Sequence, residues 1–141
     1  MIVDRRVRLA ASSRDGHLAL RRVERQQALI EHLHAARGGR VQLSELAHEL
    51  GVSERTIARD VERLRLSGVP LHTHQGRGGG VSLPPAHGAI TIVFDLPETA
   101  ALMSSLAVLG PSVSDSAASA MRKLTKALNA AVPEPMTAAR T

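Results

Sequence analysis

The chain has no cysteine, tryptophan or tyrosine, and Phe94 is its one phenylalanine. Without cysteine there is no disulfide framework, no Cys-ligated zinc or iron-sulfur site and no thiol nucleophile, and the chain suits a reducing compartment such as the cytoplasm. With aromatic residues at 1%, a base-stacking surface of the RRM or OB kind lacks its rings, and any core must be built from Leu, Ile, Val, Met and Ala. Long apolar runs are missing as well. The longest apolar-rich stretch, Ala100 to Leu109, is interrupted by Ser104 and Ser105 and is too short to cross a bilayer. Met1 to Arg8 is basic, but no continuous apolar run follows it as a signal-peptide core would require. The expectation is a soluble, unexported protein with no membrane partner.

Lysine is absent from the first half. Residues 1–84 carry 14 Lys+Arg, all of them Arg, against 9 Asp+Glu, whereas residues 85–141 carry 4 of each and include both lysines, Lys123 and Lys126. Arginine forks phosphate oxygens and guanine edges with two parallel hydrogen bonds, while lysine acts as a point charge. The first half is therefore the candidate for contact with a polyanion, and the neutral second half needs another role. The length of 141 residues allows one domain, or one small domain with an appendage.

Along the chain, residues 1–20 show no sustained period, and Asp15-Gly16 is a turn signal, so this stretch reads as a flexible basic arm. From Leu20 to Arg37 the pattern is helical: Val23, Ile30, Leu33 and Ala36, with Leu29 beside them, form one face, and Gly38-Gly39 ends it. Ser44 reads as the N-cap of a short helix, Glu45 to Leu50, with Leu46, Ala47 and Leu50 inward. Gly51 supplies a left-handed corner that Val52 fills, and Ser53 caps a third helix from Glu54 to about Ser67. Two short helices across a Gly-containing turn make a helix-turn-helix pattern. A hairpin should follow, with strands Leu71–His74 and Gly80–Leu83 around the turn Gln75 to Gly79.

Ala89 to Phe94 is a further strand-like run. Asp95-Leu96-Pro97-Glu98 then has capping-box spacing and opens a helix with Leu102, Leu106 and Leu109 on one face, stopped by Gly110-Pro111. Ala117, Met121, Leu124 and Leu128 repeat at helical steps until Pro133, and Glu134 to Thr141 has the composition of a frayed tail.

The third helix carries the most information. With Ile57 at zero and about 100° per residue, Val61 and Leu64 fall within about 40° of it, while Arg55, Arg59 and Glu62 lie near the opposite pole, with Arg63 and Thr56 to one side. Two arginines one turn apart thus project from the start of a helix whose back is anchored, which is the division of faces that reading base edges in the major groove requires. A solvated face paired to Glu54 or Glu62 would produce the same pattern in an isolated helix.

The run Val52-Ser53-Glu54-Arg55-Thr56-Ile57-Ala58-Arg59-Asp60-Val61 adds context. Preceded by Leu46-Ala47-His48-Glu49-Leu50-Gly51 and followed by Gly68-Val69-Pro70 and Gly76-Arg77-Gly78-Gly79-Gly80, it resembles the winged helix-turn-helix of DeoR-like bacterial regulators, in particular the N-terminal domain of WYL-domain transcription regulators. The resemblance covers about Val23 to Leu83. It implies that Ser53, Arg55, Thr56 and Arg59 lie on the DNA-facing start of the recognition helix and that Arg77 sits at the wing tip. Arg63 and Ser44 complete the candidate DNA-binding set. Val81 stands where the family usually has an aromatic residue after the wing glycines. The longer relatives continue into a ligand-sensing WYL domain; with neither Trp nor Tyr here, that signature is missing, and the expected partners include a separate sensor protein.

Other chemistries fit less well. The glycines at 76 and 78–80 are followed by no Lys-Ser or Lys-Thr and no helix start, so a nucleotide-phosphate loop fails on spacing. Of seven histidines, only His72 and His74 share a strand face, and with no Cys or hairpin carboxylate nearby no metal or other cofactor is assigned. The carboxylates Glu45, Glu49, Glu54, Asp60 and Glu62 are scattered among basic residues with no nucleophile context, so no enzyme is read, and Asp60 is expected to anchor an arginine or a backbone amide.

The sequence therefore predicts a mainly α fold with a small β-hairpin wing, a winged helix-turn-helix followed by a C-terminal helical hairpin. Its parts are an arm over 1–20, a DNA-binding domain over 21–85, a strand-like segment and helical hairpin over 86–132 suited to homodimerisation, and a tail over 133–141. The expected function is a sequence-specific, double-stranded DNA-binding transcription regulator. A protein-interaction module or a structured-RNA binder would share this fold.

Overall fold

A computed structural model describes residues 2–86, 88–110 and 113–133. The elements in order are α1 (Ile2–Ala35), α2 (Leu43–Leu50), α3 (Glu54–Leu66), β1 (His72–His74), β2 (Gly80–Ser82), α4 (Leu96–Leu109) and α5 (Asp115–Ala131). They fall into two compact units divided after Ala89. The expected architecture is present: a helix-turn-helix followed by a two-stranded antiparallel wing, then two further helices. Among the described residues no helix is long and apolar enough to cross a membrane.

The first unit is built on α1. Its second half, Leu18 to Ala35, is rich in Ala, Leu, Arg, Glu and Gln, all good helix formers, and holds neither Gly nor Pro. The helix also runs back to Ile2, so the stretch expected as an arm is helical over residues 2–20. Asp15-Gly16 does not act as a turn there, because one glycine inside a helix costs only about 1 kcal/mol relative to alanine and its neighbours favour helix. At the other end the helix stops at Ala35, two residues before the expected Arg37; Arg37 (φ 50°) and Gly38 (φ 85°) turn left-handed, and the Gly39 amide donates to the Ala36 carbonyl at 2.9 Å.

Helix α2 starts earlier than expected. Its N-cap is Gln42, and Ser44 lies inside the first turn, with its Oγ donating to Gln42 Oε1 at 3.4 Å. The cause is Val41, whose amide and carbonyl both pair with Val81 at 2.8 Å, so the chain leaves the sheet at Gln42 and must begin the helix there. Gly51 adopts the left-handed conformation (φ 65°) at the corner, and Ser53 caps α3 as expected.

The core of this unit is aliphatic throughout. Leu29 and Leu33 from α1, Leu46 from α2, Ile57 from α3 and Val81 from β2 are fully buried, joined by Val41, Ala47, Val61, Leu64 and Leu71. Burying each large aliphatic side chain contributes about 1.5–3 kcal/mol, so α3 is fixed through its Ile57, Val61 and Leu64 stripe. Val81 fills its part of the core at 1% exposure.

The second unit is a helical hairpin. Asp95 and Glu98 form a reciprocal capping box at the start of α4, with Pro97 in the first turn, and Ser114 caps α5 through the Ala117 amide. Ala89 to Phe94 forms no strand: among the described residues no second strand pairs with it, and alternation without a hydrogen-bonding neighbour does not make a sheet. Leu106, Met121, Leu124 and Leu128 are only half-buried, and Thr99 is the one buried residue described in this unit. Pro111 and the expected tail from residue 134 lie outside the described residues.

Candidate nucleic-acid interface

The start of α3 is held by its own side chains. Ser53 Oγ accepts a hydrogen bond from the Thr56 amide at 3.2 Å and lies 3.0 Å from Thr56 Oγ1. Both residues therefore act in the cap, which orients the first turn, with Thr56 half-buried and Ser53 exposed. Arg55 and Arg59 are exposed, on the face opposite Ile57, Val61 and Leu64, and neither has a carboxylate partner among the described residues.

The other cations of α3 are engaged. Arg65 Nη1 pairs with Glu62 at 3.2 Å, and Arg63 Nη1 stands 3.7 Å from Asp60 Oδ1. Asp60 is fully buried and is held mainly from α1: Arg25 Nε donates to Oδ2, Arg25 Nη2 donates to Oδ1 at 3.2 Å, and Gln26 Nε2 donates to the same oxygen at 3.1 Å. A buried carboxylate is tolerable only when so satisfied, and here the cost is met by a fork and an amide from one helix. The expectation that Asp60 anchors an arginine is thus met, but by Arg25, 35 residues away, which no local pattern in the sequence indicates.

The wing pairs His72 with Ser82, Thr73 with Val81 and His74 with Gly80. Gly76 (φ 82°) and Gly78 (φ 72°) supply left-handed residues in its turn, the Gly79 amide donates to the Gly76 carbonyl at 3.0 Å, and Arg77 is exposed between them. Gly80 is required for another reason: a Cβ there would stand 2.3 Å from the Val41 carbonyl oxygen that anchors the wing to the body. His74 Nε2 lies 2.9 Å from Ser82 Oγ, so this histidine is tied into the wing while His72 is exposed.

Wing and helix starts meet around one cleft, bordered by Gln42, Leu43 and Ser44 at the start of α2, Glu54 at the start of α3, and Gly76 to Gly80 of the wing. Ser44 and Arg77 are brought together there, while Arg63 is drawn toward Asp60. Residues 25–81 match the family model described as an HTH domain. This segment is a helix-turn-helix domain with a wing. The chain also has a curated relative, the "Uncharacterized HTH-type transcriptional regulator YobV" of Bacillus subtilis (strain 168), 49% identical over 43 residues. That match takes in 30% of this chain and 14% of the relative, so the chain spans only about a seventh of the relative's length. No solved structure matches the chain.

Proposed function

We propose that the chain is a sequence-specific, double-stranded DNA-binding transcription regulator of the DeoR-like, WYL-associated type, acting in the cytoplasm and not as an enzyme. The observation that carries this reading is the division of α3: a buried stripe of Ile57, Val61 and Leu64 on one face, and on the other exposed Arg55 and Arg59, with no carboxylate partner among the described residues. In this mechanism α3 enters the major groove, where Arg55 and Arg59 meet base edges. Ser53 and Thr56 fix the helix start against the backbone, Arg63 and Ser44 flank it at phosphates, and Arg77 of the wing meets backbone or minor groove. The naming of the Bacillus subtilis relative as an HTH-type transcriptional regulator supports the same class.

The second unit is proposed to pair two copies. A hairpin of two helices with no fully buried apolar residue described in it has too little interior to be stable alone, and a two-fold pair would carry two reading heads to successive half-sites.

Selection of bound duplexes from a random library tests the reading, followed by titration of the selected site, a scrambled duplex and a structured RNA. Enrichment of a discrete motif bound well above the scrambled duplex and the RNA supports it. Equal or tighter RNA binding would move the function to RNA, and no binding to any nucleic acid would leave a protein-interaction module.

A further inference from the structure

The wing turn has a second cation beside it. Arg40 lies in the short connection between α1 and α2, a position with no evident function in the sequence, yet its Nη1 donates to the Gly78 carbonyl oxygen at 3.5 Å, across 38 residues. The placement follows from the backbone. Val41 is bridged to Val81 of the wing by two hydrogen bonds of 2.8 Å, and Arg40, the residue before it, lies with its side chain against the wing turn.

The arginines of the helix-turn-helix domain then sort into two groups. Arg25, Arg63 and Arg65 have carboxylate partners, whereas Arg37, Arg40, Arg55, Arg59 and Arg77 are exposed and, among the described residues, have none; of these five, Arg40 and Arg77 are the two at the wing turn. A guanidinium has five N–H donors, and one long bond to a carbonyl leaves most of Arg40's donors directed to solvent. A brace for the wing would need neither the charge nor the fork. A charge at this place does what a phosphate contact does: it neutralises part of the duplex backbone and releases counterions.

We propose that Arg40 is a DNA-backbone contact, paired with Arg77 so that the wing presents two guanidiniums to the phosphates. This rests on the DNA-binding reading above and extends it to a residue outside both α3 and the hairpin. The contact is electrostatic and sequence-independent, so Arg40 contributes to affinity on any duplex and to none of the base preference.

Equilibrium titration of the full chain against its selected duplex and against a scrambled duplex, each over a series of salt concentrations, tests this in wild type, Arg40→Gln, Arg40→Lys, Arg77→Gln and the double variant Arg40→Gln with Arg77→Gln. Arg40→Gln is expected to lower affinity for both duplexes by similar factors and to reduce the log-log salt slope by about 0.9, as is Arg77→Gln, with the double variant losing about 1.8. Arg40→Lys keeps the charge and should keep the slope. Circular dichroism melting of each variant confirms that the domain is folded. A wild-type slope in folded Arg40→Gln would overturn the Arg40 contact while leaving the DNA-binding reading intact; wild-type protein that binds no duplex would instead overturn that reading.

Discussion

Arg25 of α1 grips Asp60 of α3 with both arms of its guanidinium, joining the first helix of the domain to the helix proposed to read DNA. Asp60 is fully buried and the Arg25 side chain is 21% exposed, so removing either partner strands a charge in a largely dry site. Arg25→Ala is expected to destabilise the domain by about 3 kcal/mol, at the lower end for such pairs because Gln26 and Arg63 still face the carboxylate. The apolar double substitution Arg25→Met with Asp60→Leu should cost far less than the sum of the single changes, since neither charge is then left alone. Urea unfolding of wild type, Arg25→Met, Asp60→Leu and the double variant measures the coupling; strictly additive losses would mean that the fork contributes no net interaction.

For the proposed recognition face, Arg55→Ala and Arg59→Ala should each weaken binding to the selected site by about 1–3 kcal/mol and relax base preference at one or two positions. Arg63→Ala should do less, because its guanidinium is already shared with Asp60 at 3.7 Å. Titration against single-base variants of the site ranks the three. If Arg63 proved the strongest determinant of base preference and the other two were neutral, the face assigned to the groove would be the wrong one.

Much of this face was legible because its determinants are local. The cap at Ser53, the corner at Gly51, and the alternation of Ile57, Val61 and Leu64 with arginines are set within a turn or two of helix, and the structure reproduces them. The positions of Arg25, Gln26 and Arg40 were not legible, since each acts on a residue 34 to 38 positions away. Ser44 was misassigned as a cap for the same reason: the pairing of Val41 with Val81 shifts the start of α2, and only the folded wing supplies Val81. In Ala89 to Phe94 the strand pattern is present, but no partner strand is found among the described residues, and a periodicity of two speaks to side chains without saying where the backbone bonds go.

The two glycines at 51 and 80 should respond very differently to alanine. Gly51 has φ 65° but no atom within 4 Å of its missing Cβ, so Gly51→Ala should cost about 1–2 kcal/mol of backbone strain alone. Gly80→Ala adds a 2.3 Å approach to the Val41 carbonyl oxygen and 2.8 Å to its carbon, atoms of backbone that cannot turn aside without breaking the Val41–Val81 pair. It should cost more than Gly51→Ala, and hydrogen exchange should show the Val41 and Val81 amides losing protection selectively. Equal losses, with both amides still protected, would show that the connection yields without releasing the wing.

The proposed pairing of two copies through the second unit can be separated from its stability. Ile92 and Val93 are 61% and 92% exposed in the single chain, and with Leu102, Leu106 and Leu124 they line an apolar groove on the helical hairpin. Substitution of a residue that exposed is normally worth no more than about 0.5 kcal/mol to a monomer, because it is solvated in both folded and unfolded states. Carboxylates buried in a two-fold interface would instead face their own copies in a dry setting, where like charges repel and no partner compensates. The double substitution Ile92→Glu with Val93→Glu is therefore expected to leave the unfolding midpoint of the helix-turn-helix domain unchanged while converting a dimer to a monomer in sedimentation at micromolar concentration. It should also weaken binding to a two-half-site duplex much more than to an isolated half-site, since only the former uses both heads at once. A wild-type protein that sediments as a monomer, alone and on the two-half-site duplex, would remove the pairing and make the hairpin the surface of some other contact.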